Sequence, residues 1–363
     1  MNEESKEKKR EMMVAHFRRQ MGSCRLIGNG FNYVDYNDLQ DALDAGEDWL
    51  EVCYRLGDRA AGKAEEELKK GHGVTARSFF LNATAAYRVG QYTILHDNEQ
   101  KLDMYKKLMD CFAQAAKLSN PPYEKVEIPY EDYTMPGYLM LPPGGDANCP
   151  AVVVLGGADG WREEFHQFSE RLLERGLAAL IVDGPGQGET RLFRKIYMPV
   201  EVEKPFTACV DWLYDDNRVG KNIGLVGHSF GGYLAPRTAY YAKNLKACVG
   251  FGGSYNPAEL LSRNPAAIPI FSAVFGKDKE DTAELLKQVN LEGLAEKITC
   301  PLLMVHGDQD PLFPLDDVKR VYEKASGPKE LKVYENDGHC CHNHDLEAIC
   351  YIVDWLADTL KNG

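Results

Sequence analysis

Residues 223–232 read IGLVGHSFGG, an apolar strand-like run that ends in one serine with a glycine two residues to either side. A serine hydroxyl is a weak nucleophile. It becomes useful when a sharp strand-to-helix turn lifts it clear of the backbone and a neighbouring base takes its proton. Such a turn crowds its own main chain, so small residues suit the positions two before and two after. Gly227 and Gly231 meet that need around Ser229. A helix starting behind the serine would point its amino-terminal dipole at any oxyanion formed there. The same pattern also occurs as a tight turn in nucleotide-type folds, so partners elsewhere in the chain have to decide.

A base needs an orienting acid, in the chain order serine, acid, histidine for this kind of turn. The stretch HGDQDPLFP offers Asp308 and Asp310. Asp310 is favoured, because Asp308 stands close to the strand end and Pro311 fixes the loop behind Asp310. ENDGHCCHNH then offers His339, first after the Asp337-Gly338 turn, with His342 and His344 as substitutes that otherwise read as surface histidines at a helix start. An oxyanion hole would take one N–H from Phe230 and another from the loop GGADG at 156–160, from Ala158 or Gly157. Asp159 would orient that loop or cap the helix after it.

Other chemistries find less support. Cys340-Cys341 beside three histidines raises a metal cluster, but adjacent cysteines do not easily close one tetrahedral site and no second pair stands at ligand spacing. No metal is expected, and the ten cysteines read as reduced thiols. GPGQG at 184–188 lacks the surroundings of a dinucleotide loop, so no cofactor is expected.

The elements that must carry these residues alternate. Short apolar runs at 151–157, 177–183, 222–229, 246–253, 301–308 and 331–337 are separated mostly by helical patterns, which predicts a mostly parallel sheet flanked by helices, an α/β fold. An edge hairpin precedes them at 123–143, and the gap at about 254–299 reads as a helical insertion. Residues 36–118 repeat apolar positions at three and four and form a helical unit that ends at Asn120-Pro121-Pro122. The domains are therefore set at 1–120 and 121–363. In the first, Phe79, Phe80, Tyr87 and Tyr92 read as core or as pocket lining.

At 363 residues there is room for one large core and an accessory unit. The net charge of -13 comes mainly from residues 121–363, which hold 24 basic against 36 acidic side chains. That balance repels phosphate backbones and anionic lipid, so neither nucleic acid nor a membrane is an expected partner. MNEESKEKKREMM has charge but no apolar core behind it, so no secretory leader is expected and the chain is taken as cytoplasmic.

With these residues in place, 123–361 resembles an α/β-hydrolase, with GHSFGG as nucleophile elbow, DGPGQGE following the fourth strand, HGDQDPLFP as acid loop and DGH as histidine loop. WLEVCYRLGDRAAGKAEEELKKGHGVTARSFFLNATAAYR and GGADG are similar to a narrower branch, the pseudooxynicotine hydrolases, the fungal polyketide-shortening hydrolases and the fermentation-respiration switch proteins. That resemblance implies an N-terminal helical cap domain, a small-molecule substrate and hydrolysis of a carbon–carbon bond in a 1,3-diketone-type compound. The same Ser-Asp-His triad also cleaves esters, and some proteins of this fold bind ligands without catalysis. The resemblance further places a substrate-contacting carboxylate in the region of the insertion, for which Glu259, shortly after Tyr255, is the nearest match, although Glu259 also reads as a first-turn glutamate that favours the helix dipole. Trp161, like the aromatics of the first domain, reads as pocket lining or as core, and the resemblance admits a homodimer paired through the N-terminal helices.

Overall fold

A computed structural model of the chain describes residues 12, 14, 15, 17, 18, 21–94, 96–145 and 147–362. Residues 1–11 and 13, on which most of the reading of the leader rests, lie outside the described residues. Residue contacts divide the chain into two units, Met1–Ser119 and Asn120–Gly363.

The first unit is helical: α1 (Ser23–Gly28), α2 (Tyr33–Asp44), α3 (Trp49–Lys69), α4 (Gly73–Gln91) and α5 (Glu99–Leu118). Three of these helices start on a side chain that accepts otherwise orphaned N–H groups. Asn32 takes that of Val34, Asp48 those of Leu50 and Glu51, and Asn98 that of Lys101. Trp49, Val52, Cys53, Leu56, Ala86, Val89 and Tyr92 form part of one apolar cluster. The Trp49 indole N–H donates to Val89 O, and the Tyr87 hydroxyl to Asp58. Phe80, Tyr87 and Tyr92 are buried.

The second unit is one eight-stranded sheet in the order β1-β2-β4-β3-β5-β6-β7-β8. Its strands are β1 (Glu124–Tyr130), β2 (Tyr133–Met140), β3 (Ala151–Leu155), β4 (Ala178–Val182), β5 (Ile223–His228), β6 (Leu245–Phe251), β7 (Leu302–Gly307) and β8 (Lys329–Tyr334). β1 and β2 form an antiparallel hairpin and β2 runs antiparallel to β4; all later pairings are parallel. β3 and β4 are buried at every position. That is why they read as unbroken apolar runs rather than as alternating ones.

The helices are α6 (His166–Glu174), α7 (Gly188–Leu192), α8 (Glu203–Asp215), α9 (Gly231–Ala239), α10 (Ala258–Arg263), α11 (Ile268–Phe275), α12 (Lys279–Leu286), α13 (Leu315–Lys324) and α14 (Asp345–Asn362). Leu356 and Leu360 of α14 pack where a side chain on Gly224 of β5 would stand, while Ala235 of α9 faces Gly227. Successive strand residues point to opposite faces, so one strand is covered on both sides. α10, α11 and α12 fill the stretch between β6 and β7.

The last strand is shorter at its end than its sequence suggests. β8 stops at Tyr334, and Asn336 has a φ of 57°. The backbone leaves the sheet there because Asp337 is needed as the centre of a turn. Its buried carboxylate accepts the N–H groups of Gly338, Asn343 and His344.

Candidate active site

The carboxyl ends of β3, β5, β7 and β8 carry the residues that the sequence singles out, which is where ligands gather in open parallel sheets. Ser229 follows β5 with a φ of 60°, in the left-handed region that costs a residue with a Cβ about 1–3 kcal/mol. Two backbone bonds hold it there: Ser229 N–H donates to Phe251 O at 2.8 Å, and Gly232 N–H to Ser229 O at 2.7 Å. A Cβ on Gly227 would overlap the Gly231 carbonyl, and one on Gly231 would stand 2.7 Å from Gly156 O. Neither position accepts a side chain while the turn keeps this shape.

The structure brings Ser229, His339 and Asp310 into one row. His339 Nδ1–H donates to Asp310 Oδ2 at 2.7 Å, and His339 Nε2 is 2.7 Å from Ser229 Oγ, whose proton it accepts when the ring is neutral. Asp310 Oδ1 accepts the N–H groups of Leu312 at 2.8 Å and Phe313 at 3.1 Å. Burial opposes charge on His339, but the facing Asp310 carboxylate outweighs it and raises the histidine well above its ordinary pKa. Burial works against the Asp310 anion as well, yet His339 holds its pKa below the usual carboxylate range.

The loop after β3 lies against the serine, because β3 is the hydrogen-bonded neighbour of β5. A Cβ on Gly157 would be 3.0 Å from Ser229 Cβ and 3.2 Å from Ser229 Oγ. The N–H groups of Phe230, Gly157 and Ala158 have no acceptor among the described residues. Phe230 follows the serine directly, and Gly157 lies against it.

His342 and His344 have carboxylate partners of their own. His344 Nδ1 is 2.7 Å from Asp337 Oδ2 and His342 Nδ1 is 3.9 Å from Asp345 Oδ1, so neither substitutes for His339 on Asp310. Trp161 occupies the capping position of the helical turn Arg162–Phe165 without a side-chain bond, and the Arg162 N–H donates to Asp183 at 2.9 Å. The loop runs two residues beyond Asp159 before it coils, which puts the first helical N–H within reach of the β4 end. Tyr255 is buried in the sheet core with the Arg320 guanidinium 4.1 Å from its ring centroid. Glu259, in the first turn of α10, accepts from Arg320 at 2.9 Å and Asn256 at 3.1 Å. Trp161 is buried. Cys340 and Cys341 both have left-handed backbone, with φ of 56° and 50°, and are buried.

Several residues that shape the site were not singled out in the sequence. His306, buried at the end of β7, donates from Nε2 to Phe313 O at 2.7 Å and so ties down the acid loop. Burial lowers its pKa below the ordinary histidine value, against the opposing pull of the Asp310 carboxylate. A histidine on an otherwise apolar strand was the available signal. Asp183 accepts Arg162 Nη1 at 2.8 Å and the Glu189 N–H at 2.9 Å, while Arg162 Nη2 reaches Glu189 at 2.7 Å and lies 3.0 Å from Glu163. Gln187 donates from Nε2 to Gly156 O at 2.8 Å and Gly157 O at 3.1 Å. Their polarity inside the apolar surroundings of DGPGQGE was the only hint.

A mostly parallel eight-stranded sheet flanked by helices, with a serine on the tight turn after its fifth strand, is the α/β-hydrolase fold. Residues 48–361 match the family described as "Esterase FrsA-like", and the chain belongs to that family. The 2,6-dihydropseudooxynicotine hydrolase of Paenarthrobacter nicotinovorans is 31% identical over 345 residues, covering 93% of this chain and 92% of that protein. The α/β hydrolase xenA of Xenoacremonium sinensis is 32% identical over 263 residues, covering 67% of this chain and 61% of that longer one. The crystal structure of the 2,6-dihydroxy-pseudo-oxynicotine hydrolase superposes with a TM-score of 0.85 at 28% identity, covering 93% of this chain and 95% of that one. Among the described residues no helix is long and apolar enough to cross a membrane.

Proposed function

We propose that this α/β hydrolase is a serine enzyme in which Ser229 is the nucleophile, His339 the proton carrier and Asp310 the group that orients it. The observation that carries the proposal is the unbroken row from Asp310 Oδ2 through both nitrogens of His339 to Ser229 Oγ, each link at 2.7 Å. In this reading His339 Nε2 takes the hydroxyl proton as Ser229 Oγ bonds to a substrate carbonyl carbon. The N–H groups of Phe230, Ala158 and Gly157 stabilise the resulting oxyanion. The Asp310 carboxylate stabilises the imidazolium, in keeping with the upward shift of the His339 pKa.

For the substrate, the proposal is a 1,3-diketone-type compound. Collapse of the tetrahedral intermediate breaks the carbon–carbon bond, and the leaving enolate takes its proton at carbon from His339. Water, deprotonated by the same histidine, then hydrolyses the acyl-serine and frees Ser229. Support comes from the match to 2,6-dihydropseudooxynicotine hydrolase along nearly the whole chain. A role for residues 1–120 as a cap, and for Glu259, Tyr255, Trp161 and Asp159 in holding substrate, belongs to the same proposal. Carboxylester hydrolysis is the second reading, favoured by the description of the family as esterases.

The test is fluorophosphonate labelling with turnover of p-nitrophenyl acetate or butyrate beside a panel of aryl 1,3-diketones, on wild type and Ser229→Ala. Diketone turnover well above ester turnover, lost with the serine, is the expected result. Ester turnover alone transfers the assignment to a carboxylesterase. Absence of labelling and turnover refutes the serine mechanism and leaves a ligand-binding protein.

A further inference from the structure

The loop that approaches Ser229 is rich in glycine. Residues 156–160 include three glycines, and a Cβ at Gly157 would press on the serine, so no side chain at 156, 157 or 160 fixes the backbone of this segment. Its peptide planes need an external anchor, and Gln187 is placed to be one. The Gln187 side chain is 1% exposed. Its Oε1 accepts the Gly184 N–H at 3.1 Å, which leaves Nε2 to give its two protons to Gly156 O at 2.8 Å and Gly157 O at 3.1 Å. All its polar capacity except one lone pair is committed.

These two carbonyls are the informative ones. In a trans peptide the C=O of one residue and the N–H of the next lie in one plane and point in opposite directions. Holding Gly156 O sets the direction of the Gly157 N–H, and holding Gly157 O sets that of the Ala158 N–H. A hydrogen bond on a carbonyl also polarises its amide and strengthens the N–H as a donor. Gln187 lies beyond β4, whose end pairs with that of β3 through Leu155 and Val182, so a short reach across adjacent strand ends suffices.

We infer that Gln187 is the positioning residue for the oxyanion donors Gly157 and Ala158, an inference that rests on the serine-hydrolase reading. It does not touch the reacting atoms. It acts by fixing the two peptide planes whose N–H groups would receive the developing negative charge, and so serves the transition state more than the bound substrate.

The test uses the full chain. Gln187→Met keeps the length of the side chain and removes both donors; Gln187→Glu removes both donors and keeps an acceptor for the Gly184 N–H, and is read in the same way if the methionine variant does not fold. Thr190→Val is the control, because it deletes the 2.6 Å bond to Asp183 O in the same loop without touching either glycine carbonyl. Each is assayed for kcat and KM, for affinity towards a trifluoromethyl ketone that adds to serine as an oxyanion, and for its thermal midpoint.

The expected result for the Gln187 variants is a fall in kcat of roughly 10–100-fold, with KM changed by less than about threefold and ketone affinity falling in parallel with kcat. Thr190→Val keeps the wild-type ratio of ketone affinity to KM. Folded Gln187 variants with kcat and ketone affinity within about threefold of wild type overturn the inference, as does an equal loss in Thr190→Val. Fluorophosphonate labelling of the wild type separates the two levels: no labelling sinks the serine-hydrolase reading itself, whereas labelling with unaltered Gln187 variants sinks this inference alone.

Discussion

Replacing Asp310 by asparagine changes one atom, and the hydrogen bonds around it decide what that atom does. Oδ1 accepts two backbone N–H groups, from Leu312 and Phe313. In Asp310→Asn the amide oxygen has to stay on that side, because an NH2 there would face two donors and forfeit two bonds worth about 1 kcal/mol each. The NH2 therefore takes the Oδ2 position, opposite His339 Nδ1. Nδ1 becomes an acceptor, the ring proton moves to Nε2, and the nitrogen facing Ser229 Oγ can no longer take a proton. The wrong tautomer in a triad of this geometry costs about 10⁴-fold in kcat, or about 5 kcal/mol of barrier. The flipped orientation offers little relief, since it sacrifices the two backbone bonds. The assay is kcat on whichever substrate class the wild type turns over, with a thermal melt showing that the variant is folded. A folded Asp310→Asn within about tenfold of wild type, or an equal loss in Asp308→Asn, would refute the reasoning.

The pH profile follows from His339. In the proposed mechanism the reaction needs the neutral ring; burial opposes its charge but the Asp310 carboxylate raises its pKa well above the ordinary value, so kcat/KM is expected to rise with pH through an acidic limb above about 6.5, and a limb below that value contradicts the pairing. The same raised pKa stabilises the fold below the unfolded histidine's pKa, and that contribution fades as pH rises through the folded one. Arg162→Met leaves Asp183, Glu163 and Glu189 without their shared buried partner, so urea denaturation should show a loss of about 3–5 kcal/mol. Gly231→Ala places a methyl 2.7 Å from Gly156 O, and a loss of about 1–3 kcal/mol or more, with weaker labelling of Ser229, is expected from a melt and a fluorophosphonate time course.

What was legible in the sequence was whatever one local segment dictates. The turn at Ser229 is written in its immediate neighbours, since the clash that excludes a side chain at Gly227 is with the carbonyl of Gly231, four residues away. The buried strands β3 and β4 announce themselves because both their faces meet apolar neighbours. Chain order and loop position were enough to pick out His339, which meets Ser229, and Asp310, which meets His339, because strand ends gather at one edge of a parallel sheet.

What only the tertiary structure decided involves groups from different loops meeting at one point. No local pattern says that Gln187 spends its donors on Gly156 and Gly157, that Asp183 receives the Arg162 N–H, or that His306 pins Phe313. Hydrophobic periodicity reports burial, averaged over a segment and indifferent to partner. A hydrogen bond depends on a few tenths of an ångström between particular atoms, and those distances exist only once the strands have been set side by side.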